Sequence, residues 1–151
     1  MLKLSNFRLP QKEKVIEDII TNGHRDQSRT NVVIDELLGG NIYQPKYEKR
    51  NDWDDVESFF QNKVKRVVSN IWGISYEDNT GCKLHDHKGN KLSAIYYMRI
   101  GEDAGALVFP EIGVTIQPKE NQFVEFSPHL LHGVEPSHGR VCLAMNFGRK
   151  L

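Results

Sequence analysis

Two histidines one residue apart, His85 and His87 in the segment LHDHKG, are the residues of this chain best placed to do chemistry. Side chains of an extended strand alternate between faces, so a strand here points both imidazoles one way and Asp86 the other. Two neighbouring imidazoles are half of a metal site, and iron accepts imidazole ligands readily. The third ligand must come from elsewhere in the chain. His132, in PHLLHGVEP, is the first candidate, because a rolled sheet can bring it opposite the pair. His129 stands three residues earlier and can take that place or support the turn after Pro128. Asp86 becomes a ligand if a bulge breaks the strand alternation. His138, among Pro, Ser and Gly, and His24, in a polar stretch, read as solvated. A pair of histidines by itself also fits an ordinary surface or hydrogen-bonded arrangement.

The elements that must position these groups fall into two parts. The N-terminal third reads helical. Pro10 can open a helix through QKEKVIEDII, where Val15, Ile16, Ile19 and Ile20 recur at helical spacing and Asn22-Gly23 can stop it. TNGHRDQSRTN reads as loop, and NVVIDELL fits strand or short helix, ended by Gly39-Gly40. PKYEKRND is charged surface. The strongest helical pattern is WDDVESFFQNKVKRVVSNIW, capped by Asn51 or Asp52 and acidic in its first turns. Its apolar stripe is Val56, Phe59, Phe60, Val64, Val67, Val68 and Ile71.

After Gly73 short apolar runs alternate with Gly, Pro and Asn turns. Strands are expected near Cys82–His87, Leu92–Arg99, Ala106–Phe109, Gly113–Ile116, Gln122–Phe126, His132–Val134 and Val141–Phe147. Several short strands without intervening helices indicate a sandwich or barrel, not βαβ units. The expectation is one domain over residues 1–151, with a helical support region at 1–72 and a β core at 73–151.

The 151 residues suffice for a single core, with 38% apolar and 26% charged residues. Lys+Arg and Asp+Glu both number 20, so no global charge draws the chain to nucleic acid or to a membrane surface. No run approaches the roughly 18 apolar residues of a membrane span. MLKLSNFRLPQKEK lacks the apolar core of a signal peptide. The two cysteines, Cys82 and Cys142, make no disulfide framework and no CxxC pair. They read as buried thiols, with Cys82 on the wrong side of the strand to join His85. A cytoplasmic setting is expected, and the chain can be a monomer or a dimer.

In order and rough spacing, LHDH, SAIYYM, GALVFPE, NQFVEFSPHLLHGVEPSHGR and VCLAMNF resemble the Fe(II)/2-oxoglutarate-dependent oxygenases, especially their compact prolyl-hydroxylase-like branch. The likeness covers about residues 73–148, roughly half the chain, through the ordered set more than any one element. It implies a mainly β chain with N-terminal helices and a double-stranded β-helix, the jelly roll or cupin-like barrel. It further implies Fe(II), 2-oxoglutarate as cosubstrate and O2, and admits ascorbate.

The family places iron on a His-x-Asp/Glu pair and a distal His, here His85, position 87 and His132. Position 87 is His, which leaves the site one negative charge short of the family's set. The resemblance assigns the far carboxylate of 2-oxoglutarate to Arg140, whose planar fork matches a carboxylate, and to the hydroxyl of Tyr97. Tyr96 should point the opposite way. Tyr76, nine residues before His85, and Asn146, late in the last strand, are further candidates to face cosubstrate or substrate. Val124 and Phe126 should share one strand face, Phe123 and Glu125 the other, with Glu125 toward solvent.

The implied reaction is hydroxylation of an unidentified substrate, with a prolyl or other peptide side chain one choice and a small molecule another. Two other classes fit parts of the pattern. A cupin-type metalloprotein that does not use 2-oxoglutarate explains the three histidines but not Arg140 and Tyr97. A cupin also usually shows a Glu several residues after the HxH pair, and KGNKLS offers none here. A non-catalytic β-domain would treat His87 as the mark of a lost iron site.

Overall fold

The computed structural model describes residues 2–23, 32–33, 39–43, 52–77 and 80–151. Among these residues eleven strands and two α-helices follow one another as β1 (Leu2–Asn6), α1 (Lys12–Asn22), β2 (Val32–Val33), β3 (Gly39–Tyr43), α2 (Asp54–Val64), β4 (Arg66–Glu77) and β5 (Thr80–His85). Then come β6 (Leu92–Ile100), β7 (Leu107–Phe109), β8 (Val114–Ile116), β9 (Gln122–Phe126), β10 (His132–Ser137) and β11 (Arg140–Lys150). They form two antiparallel sheets, one of six strands in the order β1-β9-β6-β11-β4-β3 and one of five in the order β2-β5-β10-β7-β8.

The larger sheet has a core on each face, and strand alternation sorts residues between them. One face carries Tyr96, Phe123, Val141 and Leu143 against α1 and α2, which contribute Val15, Ile16, Ile19, Val56 and Phe60. The other carries Ile74, Tyr97, Val124, Phe126 and Cys142, packed with Phe109 and Val134 of the smaller sheet. Phe60 is fully buried and its ring lies 5.5 Å from Phe123 and 5.6 Å from Tyr96. Burying a side chain of this size stabilises by about 1.5–3 kcal/mol, so the helices fasten to the sheet through a few aromatic contacts. A side chain at Gly73 would run into Ile19 and Trp53; the glycine lets α1 lie close against β4.

The expected helix through Trp72 is corrected. It ends at Val64, where Lys65 takes the left-handed conformation (φ 62°), and β4 begins at Arg66. The pairing partner of Asn70 is Asn146 and that of Val68 is Phe147, so β4 holds one extra residue, Ser69. This bulge puts Val68 and Ile71 on the same, helix-facing side although they are three residues apart. A bulged strand therefore imitates a helical stripe. The cap also differs: Trp53 occupies it without a side-chain capping bond, while Asp52 accepts from the Tyr43 hydroxyl at 2.7 Å.

Other expectations shift less. β1 was not anticipated in the helical third, and Gly39-Gly40 opens a strand instead of only ending one. Val32–Val33 is strand. The seven C-terminal strands fall where the turn residues place them, with β10 and β11 longer by three residues or more. Glu125 is covered, not solvent-facing; Lys3 of β1 lies 3.9 Å from it and burial raises its pKa. Asn51, His24 and the charged stretch 45–51 lie outside the described residues. No helix among the described residues is long and apolar enough to cross a membrane.

Tyr96 fixes the N-terminal segment to this frame. Its hydroxyl accepts from the Leu9 amide at 2.9 Å and donates to the Phe7 carbonyl at 2.8 Å. Tyr96→Phe strands a buried amide, which costs about 1–3 kcal/mol. Urea unfolding should show that loss, and an unchanged midpoint would contradict this role.

Candidate metal centre and its cavity

Strand pairing brings the histidines together. In the smaller sheet β5 and β10 run antiparallel with His85 directly opposite His132. His87 lies just beyond β5, where its amide donates to the Pro128 carbonyl at 2.8 Å and Asn90 bonds its carbonyl at 3.2 Å. Regular alternation therefore does not place His87; this pinned turn does. The ring centres are 4.8 Å apart for His85 and His87, 4.3 Å for His85 and His132, and 5.0 Å for His87 and His132. One ring nitrogen from each lies within 4.8 Å of the others.

The donor set fits a divalent metal ion. Nδ1 of His85 is 2.8 Å from the Lys83 carbonyl, and Nδ1 of His132 is 3.0 Å from the Leu130 carbonyl. A carbonyl only accepts, so each Nδ1 carries the proton and each Nε2 keeps its lone pair for a metal. Burial lowers the pKa of all three, with further lowering from the neighbouring imidazoles at His87 and His132. His87 falls to about 4 and His132 to about 3. The rings are uncharged at neutral pH, the state that ligates metal.

The other candidates lie elsewhere. Asp86 turns to Lys88, with 3.5 Å between carboxylate and ammonium, and His129 and His138 are exposed. Cys82 departs from expectation: its Sγ is 3.6 Å from Nδ1 of His85, and it lines the same cavity. Irregular pairing between β5 and β10 brings it round. Burial pushes its thiol up to about 12, so it is a protonated neighbour at neutral pH.

The histidines open on a cavity of about 200 Å³ between the sheets. Its floor is the inner face of β4, β6 and β11. Tyr76, Trp72, Asn70, Ser93 and Asn146 all line it. Trp72 and Asn70 fall within the helical pattern of the sequence, yet they stand on β4. Trp72 has its ring 6.0 Å from that of His87, and its buried indole N–H has no partner among the described residues.

Arg140, with Tyr97 beside it, does not line this cavity but lies against Tyr76, which does. Arg140 is completely buried. Its Nη1 donates to the Gly105 carbonyl at 2.9 Å, its Nη2 to the Tyr97 hydroxyl at 3.2 Å, and Nε has no partner among the described residues. Its guanidinium carbon lies 4.7 Å from the Tyr97 ring centre and 5.3 Å from that of Tyr76. A side chain at Gly105 would meet the carbonyl oxygens of Glu135 and Pro136, so close packing fixes the group that holds the arginine. Burial pushes the Tyr97 hydroxyl up to about 12 against the lowering effect of Arg140, which keeps it a neutral hydrogen-bonding group.

No family model and no curated protein matches the sequence. Solved structures do match in fold. A prolyl hydroxylase in complex with a hypoxia inducible factor peptide fragment from Trichoplax adhaerens aligns with 97% of this chain and 83% of its own, at TM-score 0.67 and 12% identity. A viral collagen prolyl hydroxylase from Paramecium bursaria Chlorella virus-1, solved as its 2OG complex, aligns over 96% and 94%, at TM-score 0.63 and 13% identity. A non-heme alpha ketoglutarate dependent epimerase from nogalamycin biosynthesis aligns over 97% and 77%, at TM-score 0.73 and 8% identity. At these identities the likeness is one of fold.

The depressed imidazoles give a signed pH dependence. Unfolded histidine titrates near 6.5, above the folded values of about 4 and about 3. The metal-free protein should keep full stability above that value and lose it as pH falls toward the folded ones. Urea midpoints measured in chelator should show the fall in wild type and a shallower one in His132→Asn. Equal slopes would contradict it.

Proposed function

We propose that this chain is an iron- and 2-oxoglutarate-dependent oxygenase of the prolyl-hydroxylase-like kind, built as one domain around a double-stranded β-helix. The observation that carries the reading is Arg140. A wholly buried guanidinium with no carboxylate partner among the described residues is costly until an anion meets it. Its guanidinium carbon lies 5.3 Å from the ring centre of Tyr76, which lines the same cavity as the three neutral imidazoles. A dicarboxylate with a 2-oxo acid at one end is complementary to that pair of features.

In this reading His85, His87 and His132 hold Fe(II), and Arg140 with Tyr97 binds the far carboxylate of 2-oxoglutarate. Bound together, metal, cosubstrate and O2 supply C–H hydroxylation, with succinate and carbon dioxide as products. The protein's own part is positional. The Lys83 and Leu130 carbonyls aim the imidazoles, Gly105 and Tyr97 orient the guanidinium, and the apolar walls of Ile74, Ile95 and Phe126 exclude water. Tyr76 lies on the cavity side of Arg140 and contributes its face and hydroxyl to the cosubstrate's end. Asn146 lies toward the substrate's end. A peptide substrate, prolyl or other, is favoured by the prolyl hydroxylases among the similar folds. Cys82 and Cys142 are thiols, not half-cystines, which suits a reducing, cytoplasmic setting. Ascorbate would serve only to keep iron reduced.

The three-imidazole set itself favours a second reading, a cupin-type metal enzyme without 2-oxoglutarate. Binding separates the two. With Mn(II) in place of iron, 2-oxoglutarate should bind wild type, and Arg140→Ala should bind it about 10–100-fold more weakly, the loss of charge-assisted bonds. Tyr97→Phe, the milder variant, should weaken it several-fold. 2-Oxobutyrate, which lacks the far carboxylate, should bind both proteins alike. Calorimetric titration checks this; equal 2-oxoglutarate affinity in wild type and both variants would favour the cupin reading.

A further inference from the structure

A row of three polar side chains crosses the cavity floor. Asn146 of β11 is paired with Ser93 of β6 on one side and with Asn70 of β4 on the other. Ser93 Oγ donates to Asn146 Oδ1 at 2.7 Å, and Asn146 Nδ2 donates to Asn70 Oδ1 at 3.1 Å. Ser93 and Asn146 are 1% and 3% exposed, so the row is held in place, whereas Asn70 is half-buried at its open end. The adjoining floor is apolar, with Trp72, Ile74, Ile95 and Ala144. The backbone ladder does not need these side chains. Two buried polar groups and a half-buried one among apolar neighbours cost stability that aliphatic residues would not.

The row ends in unused capacity. The Asn70 amide nitrogen has no partner among the described residues. Oxygen and nitrogen of each amide are assigned from this chain of bonds; reversing the chain leaves the oxygen at the open end instead. A carboxylate fits only the first arrangement and an ammonium only the second. An amide fits both, and a primary carboxamide, or the N–H and C=O that one residue of extended main chain presents side by side, can meet the Asn70 carboxamide through two parallel hydrogen bonds, one in each direction, because the Asn70 oxygen has a second lone pair. A hydroxyl makes one such bond at a time.

Position ties the row to the metal centre. Asn70 and Trp72 share a strand face, one pleat apart, and the Trp72 ring reaches His87. Arg140 begins β11 and Asn146 lies six residues on, roughly 20 Å along an extended strand. β11 thus carries a buried cation at one end and, six residues on, a neutral amide on the floor of the cavity that the three histidines also line.

We propose that Asn70, Asn146 and Ser93 form a substrate-anchoring subsite for an amide, so that the compound processed at this centre carries a carboxamide or a main-chain amide. Its role in substrate choice rests on the oxygenase reading; its affinity for amides does not. The test is a proton–nitrogen correlation NMR titration of the metal-free protein with propionamide, N-acetylalanine N-methylamide, propionate, propylammonium and 1-propanol. Side-chain amide signals of Asn70 and Asn146 should shift saturably with one or both amides, and the stronger of the two identifies the source. The other probes should bind about tenfold more weakly or worse, and Asn70→Ala should weaken amide binding about tenfold, the share of one hydrogen-bonding partner. Ser93→Ala, which leaves the open end intact but loosens the row, should weaken it less. Absence of a saturable shift with either amide overturns the proposal. So does equal binding of propionate or 1-propanol, or amide binding unchanged in Asn70→Ala. Metal and 2-oxoglutarate are absent from the titration, so its failure leaves the oxygenase reading standing, and failure of cosubstrate binding leaves the subsite standing.

Discussion

Three imidazoles whose centres lie within 5.0 Å of one another can coexist in a protein interior only while they are uncharged. A second proton would place two cations side by side in a medium that screens them poorly. The rest of the molecule is arranged around that constraint. The pairing of β5 with β10 sets His85 against His132, and the turn pinned to Pro128 delivers His87. Carbonyls hold the outward nitrogens of two rings, and apolar neighbours remove the water that would favour protonation. The Phe126 ring is 4.6 Å from that of His132. What results is a donor set held open for a metal ion, at the cost of acid sensitivity.

The larger sheet separates stability from chemistry by its two faces. Tyr96 and Tyr97 are adjacent in β6, yet one ties the N-terminal segment to the helix-side core and the other meets Arg140 beside Tyr76. Leu143 and Val141 of β11 pack under the helices while Cys142 and Asn146 face inward. Alternation along a strand thus lets one segment serve both a hydrophobic core and a polar site. Arg140 stands at the point where this separation is most demanding: a cation with no exposure, oriented by a carbonyl that close packing fixes in place.

Much of this was legible in the sequence, for physical reasons. The strands of the C-terminal half are short and punctuated by Gly, Pro and Asn, so their limits could be read. The single-residue spacing of His85 and His87 pointed to a shared site, and the order of segments around them suggested His132, Tyr97 and Arg140. The structure gathers the three histidines and sets Arg140 beside Tyr97. Other features were hidden by local irregularity. The bulge at Ser69 made β4 look helical and concealed Trp72 and Asn70. Uneven pairing of β5 brought Cys82 to His85 against regular alternation. Ser93 is an unremarkable residue until Asn146 and Asn70 are seen on either side of it. Such cross-strand partners depend on register, which no local pattern encodes.

The most direct test of the central claim is an anaerobic titration of the protein with Fe(II) and 2-oxoglutarate, followed by visible absorption. A charge-transfer band that saturates at one iron per chain, and is absent in His132→Ala, is expected if the three histidines hold iron while the 2-oxo acid chelates it. Stoichiometric iron without that band would contradict the use of 2-oxoglutarate, and failure to bind iron at all would contradict the metal centre itself.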